Sequence, residues 1–305
     1  MRLRVIYRSY GGENTKGRPE YYSKLLALTS FLRAIEGVEA DVVFLNDGPI
    51  PADRLRLMQQ SGRIVELANV GMRGSYRAAL EYPMTASWDP EDVVWFSEDD
   101  YLYAPQAFHH LQRAAEALSE VDYFALYAST PAHPAKRDDE PWAHRPSGWR
   151  DLPPWDVGGH QWVRIYSTTS TFGARVGALR QDLGLFRFCM VPHRNMLRDH
   201  DTGLLLQGFE PYSYRELLRG TFGRPGDRLG TRLRGAALMP FHLATNLRSH
   251  RRVDRRRVMV AADPNLATHM ETGLMAVGQD WPAVARDTAR WGRDNDLVDE
   301  AQPTH

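Results

Sequence analysis

The sequence is poor in cysteine, in lysine and in long apolar runs. Of its 305 residues one is a cysteine, Cys189, which excludes an intrachain disulfide and a cysteine-built metal centre. That usage fits a reducing compartment, and a cytoplasmic location is the expectation. No stretch approaches the roughly 20 apolar residues of a membrane span. The opening Met1-Arg2-Leu3-Arg4-Val5-Ile6-Tyr7 runs straight into a strand pattern, so no signal peptide is expected there. Net charge is also lacking, with 38 basic against 38 acidic residues, which speaks against nucleic-acid coating as the main function. Lysine occurs only at Lys16, Lys24 and Lys136, so the basic residues are nearly all arginine. No internal repeat is visible.

What is present is an alternation of short apolar runs with amphipathic stretches. Leu3 to Tyr7 predicts a first strand, followed by a polar, Gly-rich loop from Gly11 to Arg18. Tyr21, Leu25, Leu28, Leu32 and Ile35 recur at spacings of four and three, which predicts a helix closed by Gly37. Ala40 to Leu45 predicts a second strand, broken at Asn46-Asp47-Gly48-Pro49. A short helix over Asp53 to Gly62, a strand over Arg63 to Leu67 and a helix from Ser75 to about Tyr82 follow. Strands alternating with helices at this spacing imply an α/β chain with a right-handed, mostly parallel, doubly wound sheet. The length suits one large domain with or without an appended segment.

The most informative stretch is Asp92 to Pro105. Val93 to Phe96 reads as a buried strand, and it ends on three consecutive acids, Glu98, Asp99 and Asp100. Carboxylates at a strand's end must be hydrated, paired or bound to a cation. In open parallel sheets ligands collect beyond the carboxyl ends of the strands. A hard divalent cation that also binds phosphate accounts for three acids there. The other reading is a solvated acidic turn ahead of the helix that starts near Ala104-Pro105-Gln106.

Phe96-Ser97-Glu98-Asp99-Asp100-Tyr101, with Ala104-Pro105 and Phe108, resembles the Asp-x-Asp region of GT-A glycosyltransferases. The Glu-Asp-Asp form in N-acetylglucosaminyltransferase I and its relatives is the nearest version. The resemblance implies a GT-A fold of the family 2-like kind, with Mn²⁺ or Mg²⁺ bridging Asp100 and the two phosphates of a UDP- or GDP-sugar. It places Glu98 and Asp99 near the donor's ribose and sugar. It extends to Asn46-Asp47-Gly48, which implies Asp47 against the nucleotide base, and to Asn69, Gly71, Gly74 and Ala78 ahead of a helix. On its chemistry alone Asn46-Asp47-Gly48 reads first as a plain turn. Arg8 and Arg73 are candidates for the diphosphate, because guanidinium forks pair with phosphate oxygens. Ser9 and Tyr10 accompany Arg8 on the donor side.

Downstream, Ala107 to Leu118 predicts a helix and Tyr123 to Tyr127 a strand. Ser129 to Gly159 is Pro-rich and carries Trp142, Trp149 and Trp155, which mark either a lid over a sugar or a loop pinned to the core. Gln161 to Tyr166 predicts a strand, Ser167 to Phe172 a hydroxyl-rich run that includes Thr171, and Gly173 to Leu183 a helix. The resemblance puts this run on the acceptor side. Arg198-Asp199-His200-Asp201-Thr202-Gly203 resembles the family's acidic helix start and implies Asp201 as general base of an inverting transfer, with Asp199 as the alternative. Helix capping explains the same two acids.

Arg219 to Arg234 reads as a basic loop and Met239 to Thr245 as a strand holding His242. Leu247 to Val258 carries a dense arginine cluster, which is a solvated helix face, an anionic acceptor site, or a nucleic-acid or membrane patch. The family adds a C-terminal histidine to the metal shell in many members, which makes His269 the first candidate and His242 the second. Trp281, Val284, Ala285, Thr288 and Trp291 predict a last helix. These readings divide the chain into a GT-A domain over 1–245, with a nucleotide half over 1–128 and an acceptor half over 129–245, and an extension over 246–305. The expected activity is metal-dependent transfer of a sugar to an acceptor that the sequence does not identify. Nucleotidyl transfer on a similar sheet is the alternative, and binding of an anionic surface or nucleic acid through Arg248 to Arg257 is the second.

Overall fold

The computed structural model describes residues 1–13, 16–128, 145–191, 197–215, 217–218, 229–252 and 255–297. Strands β1 (Leu3–Tyr10), β2 (Ala40–Asp47), β3 (Arg63–Leu67) and β4 (Val93–Glu98) alternate with helices α1 (Lys24–Ile35), α2 (Ala52–Ser61) and α3 (Gly71–Thr85). Then come β5 (Tyr101–Tyr103), α4 (Ala107–Ala117), β6 (Tyr123–Ala125), β7 (Trp155–Val157), β8 (His160–Arg164) and β9 (Phe172–Arg175). The chain continues with α5 (Val176–Cys189), α6 (Asp199–Leu206), α7 (Leu229–His250), β10 (Met259–Asp263), β11 (Ala267–His269) and α8 (Trp281–Asp294).

Nine strands form one sheet in the order β3-β2-β1-β4-β9-β6-β10-β8-β7. The ladders β3-β2, β2-β1, β1-β4 and β6-β10 are parallel, and β9 and β8 run against their neighbours. The mostly parallel α/β architecture expected of a GT-A chain is therefore present. Side-chain alternation along a strand sorts the core into two layers. Leu3, Val5 and Tyr7 of β1 join Val93 and Trp95 of β4 under α1 and α4. Ile6, Val94 and Phe96 face the other way, onto α3 and α5. Tyr7, Phe31, Phe44, Trp95 and Phe108 are wholly buried in the first layer, each contributing about 1.5–3 kcal/mol of burial.

A separate antiparallel ribbon pairs β5 with β11, setting His269 opposite Tyr101. Beneath it Leu102 and Met270 pack with Leu26 of α1 and Trp281 of α8, the last helix the apolar spacing predicts. Ser23 caps α1, its Oγ accepting from the Leu26 N–H at 2.9 Å.

Several expectations are corrected. The described residues from 246 onward are not an extension: β10 lies inside the main sheet between β6 and β8, Ala267 of β11 joins the first layer, and α8 packs with α1 and the ribbon in a third cluster. Met259 to Ala262 is a buried strand, and its unbroken apolar run is the signal for it. Met239 to Thr245 is helical, within the 22-residue α7. Gly173 begins no helix; Phe172 to Arg175 is a central strand, and the helix starts at Val176. Gly173 sits where an added Cβ would come within 3.1 Å of Trp95, so glycine there serves strand packing. The basic loop over Arg219 to Arg234 lies outside the described residues up to 228, and from Leu229 it belongs to α7.

Candidate active site

The carboxyl ends of β1, β2 and β4 point to one side of the sheet, as parallel pairing requires. Here the three acids after Ser97 separate into three different environments. Glu98 takes Arg8 on one carboxylate oxygen and the Ser170 hydroxyl, at 2.7 Å, on the other. Arg8 also donates to Met72 O at 3.3 Å and Ser75 Oγ at 3.2 Å, which ties β1 to the first turn of α3.

Asp99 turns inward. Its Oδ2 accepts the Tyr10 N–H at 2.8 Å and the Ser9 hydroxyl at 3.3 Å, and it pairs with buried Lys24 at 3.0 Å. Lys24 also donates to the carbonyls of Tyr10 and Gly12, at 2.8 and 2.6 Å, and Arg54 donates to Gly11 O at 3.0 Å. This anchor holds the first loop down. The loop lies so close to the second that a Cβ at Gly11 would stand 1.9 Å from Pro49 O. Burial raises the Asp99 carboxyl above its ordinary range; Lys24 offsets part of that and the charge of Asp100 adds to it. Asp99 is thus a structural anion fixing Ser9 and Tyr10 rather than an open ligand for a ribose. Neither Lys24 nor Arg54 was singled out from sequence, where a lone basic residue at a helix start carries no distinguishing signal.

Asp100 faces β11. Its Oδ2 lies 3.0 Å from His269 Nε2 and 3.0 Å from Arg18 Nη2. The register of the ribbon brings this about: Met270 N–H donates to Asp100 O at 3.0 Å, and the His269 ring stacks on Tyr101 at 5.1 Å. Glu271 Oε2 is 3.7 Å from His269 Nε2 and 2.9 Å from Lys16 Nζ. Burial opposes ionisation of Asp100, but the His269 hydrogen bond and the charges of His269, Lys16 and Arg18 outweigh it and hold the carboxyl well below its usual range. His242, the other histidine candidate, is elsewhere: it stacks on Tyr212 at 4.0 Å from within α7.

Asp47 accepts the N–H groups of Val70 and Gly71, both at 2.7 Å. Both carboxylate oxygens are therefore engaged at the start of α3, where a carboxylate complements the helix terminus. Beside it Gly48 has φ +90 and a Cβ there would stand 2.1 Å from Asn69 Oδ1, so the turn reading of Asn46-Asp47-Gly48 describes what Asp47 does in this structure. Arg73 follows in the same helix start, and its buried Nη2 has no hydrogen-bond partner among the described residues.

The acceptor-side run reaches the acids from the opposite wall. Tyr101 OH and Thr169 Oγ1 are 2.8 Å apart, and Thr171 is buried at the start of β9. Ser170 touches both Glu98, through its hydroxyl, and Asp199, through its N–H. Asp199, on the first turn of α6, is thereby brought to the end of β4, beside a small cavity also lined by Tyr76, Thr168, Thr169 and Phe172. Burial, followed by the charge of Glu98, pushes the Asp199 carboxyl up to about 7, with Arg8 and the Ser170 N–H acting against it. Asp201 is engaged elsewhere: its Oδ2 accepts Arg198 Nε at 2.8 Å and Tyr212 OH at 2.7 Å. Of the two acids, the structure sets Asp199 and not Asp201 against the strand-end acids.

The tryptophans divide. Trp149 packs on Tyr166 and Phe209 with Arg164 over its ring at 4.6 Å. Trp155 is in β7 at the far edge of the sheet, opposite Trp162, and packs on the first core layer. Trp142 lies outside the described residues.

Among the described residues no group of three or more His, Cys, Asp or Glu side chains could hold a metal ion alone. No family model and no curated protein matches the sequence. Solved structures of similar shape include residues 1–349 of S. aureus TarS, at 15% identity and TM-score 0.40, with 67% of this chain and 56% of that one covered. Galactosyltransferase LgtC in complex with donor and acceptor sugar analogs matches at 12% identity and TM-score 0.46, covering 97% and 98%. A nucleotidyl transferase from Methanothermobacter thermautotroptrophicus matches at 10% identity and TM-score 0.44, covering 95% and 99%. The chain thus spans little more than half of the TarS segment. With TM-scores below 0.5, the fold description rests on the strand order itself.

Proposed function

We propose that the chain transfers a sugar from a nucleoside diphosphate sugar, UDP- or GDP-linked, to an acceptor nucleophile at the carboxyl end of β4. The observation that carries this reading is the Asp100–His269 contact at 3.0 Å, made between residues 169 positions apart. It stands beside Glu98, Arg8 and Asp199, and glycosyl transfer has a use for each.

Asp100 and His269 fit a divalent cation as a partial site. They supply one oxygen and one nitrogen donor side by side, and Mg²⁺ or Mn²⁺ is commonly held by one or two protein groups with phosphate oxygens and water completing the shell. When bound, the cation would be held by Asp100 and His269 and would neutralise charge on the diphosphate. Arg18 and Lys16, already at these groups, add positive charge for the same anion. Arg73, with its unsatisfied buried Nη2, and Arg8 are suited to the phosphate oxygens, since a guanidinium fork matches them.

Asp199 is the general base in this reading. It takes the proton from the acceptor hydroxyl as that oxygen attacks the anomeric carbon, while the bond from that carbon to the diphosphate oxygen breaks. The configuration inverts. A carboxyl titrating near 7 suits a base working at neutral pH. Asp201 positions α6 through Arg198 and Tyr212.

The test is to incubate the chain with a panel of UDP- and GDP-sugars and candidate acceptors, with Mn²⁺ or with chelator, and identify the nucleotide product. Metal-dependent release of nucleoside diphosphate is expected. Pyrophosphate release would assign nucleotidyl transfer instead, and no turnover on any donor would remove the reading.

A further inference from the structure

Helix α7 is built inside out. A helix on the surface of a water-soluble domain normally turns its apolar stripe to the core and its polar face to water. Here the fully buried side chains among those described are polar, while half-buried Phe241 packs on Phe188 at 5.4 Å. Thr245, Asn246 and Ser249 are buried. Asn246 Nδ2 donates to Tyr212 O at 2.7 Å, and Ser249 Oγ donates to Phe209 O at 2.7 Å. The outward face is apolar. Leu233, Leu243 and Leu247 are exposed by 62%, 40% and 51%, and Ala236, Ala237 and Pro240 are exposed between them. Leu233, Ala236 or Ala237, Pro240, Leu243 and Leu247 follow one another at spacings of three or four, so they share one side of the helix, a stripe about 21 Å long at 1.5 Å per residue. A contiguous exposed apolar stripe flanked by charge marks an interaction surface.

The charge pattern chooses the occupant. The 22 residues of α7 contain no Asp or Glu. Between positions 219 and 257 the sequence has 11 arginines against two acids. Arg252 and Arg257 are consumed internally, by Asp182 at 2.6 and 2.8 Å. Arg248 lies over the Phe188 ring at 3.9 Å, and Arg251 and Arg255 are exposed beyond the C-terminal end of the stripe. A second copy paired α7 against α7 offers no carboxylate for these arginines. An anionic lipid surface offers both parts, acyl chain for the leucines and phosphate for the arginines.

We infer that α7 is an in-plane docking helix that seats the chain on an anionic membrane surface. A helix with one apolar face and arginines beside it lies at the headgroup boundary, with the apolar residues sunk into the acyl edge and the arginines reaching back to the phosphates. No helix among the described residues is long and apolar enough to cross a membrane, so the attachment is peripheral. The stripe lies on the outer side of α7, whose inner side packs on α6, the helix that carries Asp199.

The experiment is co-sedimentation of the full chain with vesicles of phosphatidylcholine alone or with one third phosphatidylglycerol. Partition at least tenfold higher onto the anionic vesicles is expected, falling severalfold between 0.05 and 0.5 M NaCl. The L233E/L247E variant should lose at least tenfold of that partition with an unchanged melting midpoint, because both side chains are already exposed. Failure of the wild type to bind anionic vesicles overturns the inference, as does undiminished binding by the variant. A dimer in sedimentation velocity that L233E/L247E abolishes, without vesicle binding, would assign the stripe to a second copy. None of these readings depends on the glycosyl-transfer assignment.

Discussion

Asp199 and Asp201 sit on the same first turn of α6 and meet different surroundings. Asp199 meets a negative neighbour and little water, so its proton is held to about 7. Asp201 meets Arg198 and Tyr212. A base must be unprotonated to act, so kcat/KM should fall about tenfold per pH unit below about 7 and level off above it. A profile flat from pH 5 to 8 would place the base elsewhere. Asp199→Asn should cut kcat by about 10²–10⁴ with donor affinity within about twofold, as expected for removing general-base catalysis. Asp201→Ala should act on stability, since it leaves Arg198, whose side chain is 4% exposed, without its carboxylate. Breaking such a pair costs about 3 kcal/mol, readable as a lower urea midpoint. From sequence Asp201 comes first of these two acids as the base and Asp199 second, whereas in the structure Asp199 is the one set beside Glu98. Spacing along a helix start places both in one turn, but which acid faces the sheet depends on Arg198 and Tyr212, whose roles are visible only in three dimensions.

At the scale of elements, the first loop, β4 and the β5–β11 ribbon work as one clamp. Lys24 reaches from the start of α1 to Asp99 and to two loop carbonyls. Lys24→Met should remove the cation paired with that carboxylate and one donor from each carbonyl, lower the melting midpoint and weaken nucleotide binding together. Intact nucleotide affinity in a destabilised protein would show that the loop does not contribute to the donor site. The β-α alternation through β4 was legible because apolar runs and helical spacing agree there. The β9 strand was not, because four residues centred on a glycine carry little pattern and pairing on both sides decides the outcome. Nor was α7: its inward polar and outward apolar faces invert the usual signal, and Pro240 argues locally against a helix.

For the whole molecule, the C-terminal segment completes the sheet rather than trailing from it. Asp182 in α5 is the tie: it is buried, accepts from Arg252 and Arg257, and takes the Tyr123 hydroxyl at 2.8 Å. Part of the arginine cluster that reads as a binding surface is therefore a buried pairing partner. Asp182→Ala should leave Arg252 without its carboxylate and Arg257 with only Asp122, and cost about 3 kcal/mol in chemical denaturation; a loss under about 1 kcal/mol would mean the cluster is solvated and independent.

The central claim is that Asp100 and His269 form a cation-assisted diphosphate site, and calorimetric titration of UDP and GDP into the protein, with Mn²⁺ and with chelator, tests it most directly. The account predicts binding of one of the two nucleotides that strengthens at least tenfold with Mn²⁺, and loss of that gain in both Asp100→Ala and His269→Ala. Equal affinity with and without metal, unchanged in both variants, would contradict it.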